Sequence, residues 1–108
     1  MKLLTKELKA RFKAVGSQET NPDPLIIAKF FNPVGIGNWY AIEYDEKNGL
    51  FFGYVSLFGD HNDELGVFAL SELEDIKGMF GLGIERDIYF GEKKLSECNI
   101  PSYNKTIA

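Results

Sequence analysis

Two carboxylates lie two residues apart in a stretch that is dense in aromatic side chains. Glu43 and Asp45 fall within WYAIEYD, residues 39–45, whose composition is typical of a β-strand. Because alternate residues of a strand point to the same face, the two carboxylates are expected to project together. Such a pair can hold a divalent cation or share acid–base work. No recognisable metal-ligand motif completes the site, and we predict neither a metal nor another cofactor.

Three other places carry chemically capable side chains. The loop DHNDE, residues 60–64, gathers His61 with three carboxylates, but it matches no EF-hand spacing and reads as a polar turn. Arg86 lies between two acidic residues and could clamp a carboxylate or phosphate, although we favour a structural bridge. Cys98 has no neighbouring histidine in the sequence to activate it. None of these places predicts a catalytic residue.

Length and charge restrict the class of protein. The chain has 108 residues, which is the size of one domain, and a net charge of −4. A protein that binds nucleic acid non-specifically usually carries a basic excess, so the charge argues against a nucleic-acid partner. The N-terminus lacks the pattern of a signal peptide, and no apolar run is long enough to span a bilayer. We expect a cytoplasmic protein without a membrane partner.

Two helices are predicted from capping residues and apolar spacing. Residues 5–16 begin at Thr5, a good N-cap, and end at Gly16, with an apolar stripe at helical spacing between them. A second helix is predicted over 71–78, where SELE resembles a capping box formed by Ser71 and Glu74. Both helices would present an apolar side to a sheet.

Five segments read as strands: 25–31, 39–45, 50–58, 66–70 and 85–90. Hairpin signals without a βαβ period predict an α+β fold, a single domain over 1–108. We expect an antiparallel β-sheet of four to five strands, with an N-terminal helix in 1–16 and a short helix after the fourth strand. The sheet would occupy 25–90 with the helix 71–78 inserted, and 95–108 would form an irregular polar tail.

The hairpin around Asn48 and Gly49 has aromatic side chains at both odd and even positions of its strands, and therefore on both faces. It fits either a two-residue turn or a three-residue loop with a bulge at Gly49. The bulged loop would set Glu43 against Gly53, and the grouping of residues within each strand is the same in either case. With the two-residue turn, the uncharged residues of one face are the natural core: Tyr40, Ile42, Tyr44, Phe51, Gly53, Val55 and Leu57. The other face collects Trp39, Ala41, Glu43, Asp45, Phe52, Tyr54, Ser56 and Phe58. That second face is either partly covered by a helix or the tail, with its carboxylates at the solvent-exposed margin, or it is a binding surface.

Several segments occur together in an order that resembles a known family. They are LLTKEL, AKFFNPVG followed by WY, FFGYV, ELGVFALSELE and GLGIERDIYF, within residues 3–95. The chain resembles the small bacterial proteins grouped as domain of unknown function twenty-nine fifty-eight. This resemblance implies an accessory protein of plasmids, conjugative elements or phages, and it supplies no reaction.

The function that we predict is a non-enzymatic module that binds a protein or small ligand. Its candidate binding residues are Trp39, Glu43, Asp45, Tyr54 and Arg86, with the aromatic side chains as anchors and the charges setting orientation. The alternative is a small metal-assisted hydrolase or nuclease-like enzyme that uses Glu43 and Asp45. Neither the identity of the partner nor the oligomeric state follows from the sequence.

Overall fold

The structure, a computed structural model, describes residues 1–59, 63–78 and 81–100. Its helices and strands occur in the following order: α1 (Lys6–Val15), β1 (Leu25–Ile26), β2 (Ala28–Phe31), β3 (Asn38–Asp45), β4 (Leu50–Ser56), β5 (Glu64–Ala69), α2 (Leu70–Asp75), β6 (Glu85–Arg86) and β7 (Lys93–Lys94). A short 3-10 helix, Leu95–Glu97, follows β7.

The strands form one main sheet and one small one. The main sheet has five antiparallel strands in the order β5-β4-β3-β2-β6, and β1 pairs with β7 in a separate two-stranded sheet. The predicted α+β fold with an antiparallel sheet is therefore confirmed. The predicted strand 25–31 divides at Ile27, whose N–H donates to the Ala41 carbonyl at 2.9 Å. The predicted strand 85–90 is present only as the two residues of β6.

Helix α1 has the caps that its sequence predicts. The Thr5 hydroxyl accepts a hydrogen bond from the Leu8 N–H at 3.2 Å, and Gly16 is the C-terminal cap. Leu4 and Phe12 are buried in the main core, and Leu8 and Val15 pack against it. One apolar stripe therefore holds the helix on the sheet, as helical periodicity requires.

Helix α2 begins earlier than predicted. The capping box assigned to Ser71 and Glu74 is wrong, because the N-cap is Ala69 and the helix runs only to Asp75. Strand β5 continues directly into this helix. The Ala69 N–H donates to the Glu72 carboxylate at 3.0 Å, so Glu72 rather than Glu74 is the acid that reaches back.

The β3–β4 hairpin has a longer loop than either predicted register allows. Asp45 pairs with Leu50, which leaves residues 46–49 in the loop, so both predicted registers are wrong. The Asp45 carboxylate accepts hydrogen bonds from the backbone N–H groups of Lys47 and Asn48, at 3.1 and 3.3 Å. Its carbonyl accepts the Gly49 N–H at 2.8 Å. An aspartate that binds the backbone ahead of it favours this turn over a two-residue one.

A β-bulge at Ile42 changes which residues of β3 share a face. Ala41 pairs with Gly53 and Glu43 pairs with Phe52, so Ile42 is an extra residue between them. The insertion reverses the alternation of side chains along the rest of the strand. The prediction that Trp39 shares a face with Glu43 and Asp45 is therefore wrong.

The two faces of the sheet pack against different elements. On the side of α1, the main core is built around Phe51, which contacts the rings of Phe12, Phe30, Tyr44 and Phe68 at centroid distances from 4.7 to 5.8 Å. Trp39 and Ala41 belong to this core. The opposite face holds a second cluster: Ile26, Tyr40, Ile42, Tyr54, Leu95 and Ile100. Both faces of the central strands are thus buried.

The segment after β7 contributes to that second cluster. Leu95 and Ile100 are each 1% exposed, and they cover Tyr40 and Ile42. The polar tail predicted over 95–108 therefore packs on the sheet as far as residue 100, and residues 101–108 lie outside the described part. Neither helix within the described ranges combines the length and apolar character needed to cross a lipid bilayer.

Candidate docking surface

Strands β4 and β5 expose apolar side chains on the face that carries the second cluster. Phe52, Leu65 and Val67 are 38%, 47% and 64% exposed. Phe52 pairs with Val67, and Tyr54 pairs with Leu65, so these side chains lie side by side. We call Phe52, Leu65 and Val67 the β4–β5 surface. Large apolar groups that adjoin one another in solvent are typical of an interaction site.

The outer edge of β5 presents free backbone groups next to this surface. In the described ranges, β5 has β4 as its only strand neighbour. Leu70 donates its N–H to the Gly49 carbonyl at 3.0 Å, and hydrogen-bonded pairs alternate along an antiparallel ladder. Phe68 pairs with Phe51, and Gly66 pairs with Gly53. By this alternation, the backbone groups of Phe68 and Gly66 form their hydrogen bonds with β4. Leu65 and Val67 therefore direct their N–H and C=O groups outward.

Within residues 1–59, 63–78 and 81–100, the opposite edge of the sheet is protected, whereas no other strand covers the edge of β5. Strand β6 has two residues, and the Arg86 N–H donates to the Met1 sulfur at 3.1 Å. The Arg86 guanidinium also donates to the Lys2 carbonyl at 2.6 Å. Strand β5 has six residues and contains no lysine, proline or bulge. Natural sheets usually protect an edge by such devices, and in the described part of the chain the single charge of Glu64 is the one that β5 has.

A groove of about 490 Å³ adjoins the β4–β5 surface. Phe52 and Leu65 line one side, and the loop of residues 17–24 lines the other, with Glu43 between them. Gln18 holds this loop to the bulge: its backbone N–H donates to Glu43 at 2.9 Å, and its side-chain amide donates to the Ile42 carbonyl at 3.1 Å. The groove thus has fixed walls, and the Glu43 carboxylate is positioned at its rim.

A further pair of hydrogen bonds joins the same loop to the 3-10 helix. The Asp23 carboxylate accepts hydrogen bonds from the Ser96 hydroxyl at 2.6 Å and from the Ser96 N–H at 3.0 Å. These bonds, the hydroxyl bond first, lower the pKa of Asp23 from its ordinary value. The far wall of the groove is therefore held at both ends.

Asp45 is exposed, and it organises the hairpin loop. The Asn48 side-chain amide donates to the Asp45 carboxylate at 2.7 Å, in addition to the backbone bonds described above. These bonds lower the pKa of Asp45, with the Asn48 side chain as the largest cause. Because folding lowers this pKa, the ionised carboxylate stabilises the folded protein at every pH above its ordinary pKa. That contribution is lost as the pH falls through the lowered value.

Replacing Asn48 with alanine is expected to raise the pKa of Asp45 toward its ordinary value of about 3.9. The side-chain amide that stabilises the ionised form would be gone, while the backbone donors would remain. A carboxyl-carbon NMR titration measures the change. Asn21→Ala is the matched control, because the Asn21 amide oxygen accepts the Asp23 N–H instead. An Asp45 titration that is identical in wild type and Asn48→Ala would contradict the assignment.

The candidate binding residues from the sequence are only partly brought together. Trp39 is 7% exposed in the main core, whereas Tyr54, 5% exposed, lies on the opposite face. Arg86 binds the N-terminal segment at the far edge of the sheet. Glu43 and Asp45 share the face of the β4–β5 surface and border it. Of the predicted set, these two carboxylates therefore remain beside the exposed apolar groups.

Leu65 and Val67 were not among the residues singled out from the sequence. Their alternation with Gly66 and Phe68 reads as an ordinary strand, and apolar strand residues are usually core. What distinguishes them from core residues is that β5 lies at the edge of the sheet and yet contains no lysine or proline. Strand order, which the sequence does not show, is needed to read it.

Among the described residues, no three His, Cys, Asp or Glu side chains converge as metal ligands would. His61 lies outside the described residues. Burial raises the pKa of Cys98 to about 11 and the pKa of Tyr40 to about 12, so both groups are protonated at neutral pH.

The basic residues of α1 are partly paired. Lys9 lies 3.3 Å from the Glu46 carboxylate, and the Arg11 guanidinium makes two-pronged bonds to Glu92 at 2.8 Å. Paired cations offer less charge to a phosphate backbone than free ones do. The helix therefore adds no support for nucleic-acid binding beyond what its sequence indicated.

Comparison with known proteins identifies the family of this chain. Searches of the curated proteins and of the solved structures found no match. A family model described as "Protein of unknown function (DUF2958)" matches residues 3–103, which include every element described above. The chain therefore belongs to the DUF2958 family.

Proposed function

We propose that this protein is a non-enzymatic binding module that docks another protein through the β4–β5 surface. The observation that carries the proposal is the exposure of Phe52, Leu65 and Val67 beside β5, the outermost strand of the sheet among the described residues. Aromatic and aliphatic groups in contact with one another supply the apolar centre of a protein interface. A protein fits this surface better than a small molecule does, because the apolar area extends over the strand edge beyond the groove.

The charges around the surface indicate the chemistry of the partner. Glu43 and Asp45 border its inner side, and Glu64 and Glu72 lie at the two ends of β5. Acidic groups around an apolar centre favour a partner that is apolar at its centre and basic at its rim. The net charge of −4 acts in the same direction by attracting cationic partners over longer distances.

The setting implied by the family resemblance belongs to the same proposal. The protein would act in the bacterial cytoplasm as an accessory of a plasmid or another mobile element. Its partner would then be a basic protein encoded by the element or by its host. Co-occurrence of the gene with mobile-element genes across sequenced bacteria tests this setting independently of any binding measurement.

The docking proposal predicts that a double variant, Leu65→Ser with Val67→Thr, loses its partner while keeping its fold. Both side chains point into solvent, so their replacement removes interface area and little core packing. The immobilised wild type and variant are compared for capture from a bacterial lysate. A captured protein is then purified and titrated against each, and a rise of at least about tenfold in the dissociation constant is expected, equal to about 1.4 kcal/mol.

Ile88→Ser is the matched control, because Ile88 is an exposed aliphatic residue beyond β6 at the opposite edge of the sheet. It should retain wild-type affinity, and binding by the wild type should weaken as salt is added. Equal affinity of the double variant and the wild type for the purified partner would overturn the proposal. The proposal would also be overturned if every protein captured by the wild type were captured by the double variant as well.

A further inference from the structure

We infer that the partner binds as an added β-strand: a basic, extended segment that pairs antiparallel with the outer edge of β5. This inference rests on the proposed function and specifies its geometry and chemistry. Peptides that add a strand to an exposed edge gain affinity from main-chain hydrogen bonds. They gain specificity from alternate side chains.

The backbone of β5 supplies the hydrogen bonds for such a strand. Leu65 and Val67 direct their N–H and C=O groups outward, as the register with β4 requires. The next outward N–H, that of Ala69, is already taken by Glu72 at 3.0 Å. Two residues of β5 thus offer both a donor and an acceptor, and Glu72 closes the available edge at its helical end.

The side chains of β5 define what each residue of the added strand would meet. Residues paired with Leu65 and Val67 would lie on their face and extend the β4–β5 surface, so they should be apolar. The intervening residues would lie on the face of Glu64 and Gly66, where a long basic side chain fits. The edge therefore matches a segment that alternates apolar and basic residues.

Gly66 supports the close approach of another chain. A Cβ placed on Gly66 would have no atom within 4 Å, so nothing in the described fold requires a glycine there. Glycine inside a strand weakens it and often marks a site where another backbone or a ligand approaches. The missing side chain leaves open space beside the edge for the stem of a lysine or arginine.

Charge distinguishes a basic segment from a second copy of this chain. Residues 63–75 contain five acidic residues, namely Asp63, Glu64, Glu72, Glu74 and Asp75, and no lysine or arginine. Two copies joined through β5 would bring these acidic stretches together, which is unfavourable. A lysine-bearing or arginine-bearing strand would instead place opposite charges next to Glu64 and Glu72.

The test uses a short capped peptide that alternates valine and lysine, titrated into the full-length protein by NMR. The expected result is saturable shifts at Leu65, Gly66 and Val67, with slowed hydrogen exchange of the outward Leu65 and Val67 amides. A peptide that alternates valine and glutamate is the charge control and should bind at least about tenfold more weakly. Shifts spread evenly over the protein, or none at millimolar peptide, would overturn the inference.

Methylated peptides separate strand addition from docking by side chains alone. The residues paired with Leu65 and Val67 are the valines, so their N–H groups point at β5. Methylation of the valine nitrogens should abolish binding, whereas methylation of the lysine nitrogens should preserve it. Equal binding of both methylated peptides would overturn strand addition and leave the proposed docking surface standing.

A matched pair of protein variants tests the same bonds from the other side. Val67→Pro removes an outward N–H without breaking the β4–β5 ladder, and proline is tolerated on edge strands in this orientation. Val67→Ala removes apolar area but keeps the N–H. Strand addition predicts weaker peptide binding by Val67→Pro than by Val67→Ala, with both variants folded by NMR. If sedimentation instead shows a dimer that Val67→Pro converts to a monomer, a second copy occupies the edge and the inference fails.

Discussion

Replacing Gly53 with alanine is expected to destabilise the protein by at least about 3 kcal/mol, at the upper end of overpacking effects. A Cβ at this position would lie 2.0 Å from the Tyr40 carbonyl oxygen and 3.1 Å from the Ala41 Cα. Both atoms are backbone, held by the bulge in the centre of the sheet, so neither can move aside without breaking the ladder. The measurement is urea denaturation followed by circular dichroism.

Gly66→Ala is the matched control, since Gly66 pairs with Gly53 across the two strands. Its added methyl group would meet no atom within 4 Å, and the substitution restricts the unfolded chain. We therefore expect no loss and a gain of up to about 1 kcal/mol. A similar destabilisation by both variants would show that the contact at the bulge is not what requires Gly53.

Truncating Phe51 to alanine is expected to cost about 3–5 kcal/mol, the usual range for a large buried aromatic residue. Phe51 has no solvent exposure, and its ring lies between α1 and the sheet. Its ring centroid is 5.3 Å from that of Phe68 and 5.4 Å from that of Phe30. Removing the ring opens a cavity that these fixed neighbours cannot fill. Denaturant titration measures the loss, which would be a large fraction of a typical domain's stability.

The adjacent residue provides the control, because Phe52 points to the opposite face. Phe52→Ala should cost less than about 1 kcal/mol, since the ring is already partly in water. It should nevertheless weaken docking, since the ring belongs to the β4–β5 surface. A variant that loses stability as Phe51→Ala does, or that docks normally, would contradict the assignment of the two faces.

Local signals in the sequence were enough to predict some elements. Helix α1 follows from Thr5, Gly16 and an apolar stripe, all of which act within the segment itself. The strands of the hairpin follow from their composition. Prediction was less successful where distant residues decide the outcome. The bulge at Ile42 leaves carbonyls that are taken by Gln18 and Ile27, which belong to other parts of the chain.

In the candidate site, too, local signals could be predicted, whereas features that depend on distant residues could not. Glu43 could be identified because a carboxylate in an apolar run is conspicuous, and it lies beside the β4–β5 surface. Trp39 was assigned to the wrong face because the bulge shifts the alternation by one residue. Leu65 and Val67 were missed because their exposure depends on β5 being the outermost strand. That position is a property of the whole sheet.

The bulge also has a consequence for how the chain selects one strand alignment while it folds. A slip of β4 by one residue would place Phe52 or Tyr54, in place of Gly53, against the Tyr40 carbonyl, where no Cβ fits. The same slip would turn Phe51 away from α1 and Phe52 toward it. Gly53 therefore restricts β3 and β4 to one alignment, because a side chain in its place would overlap the Tyr40 carbonyl.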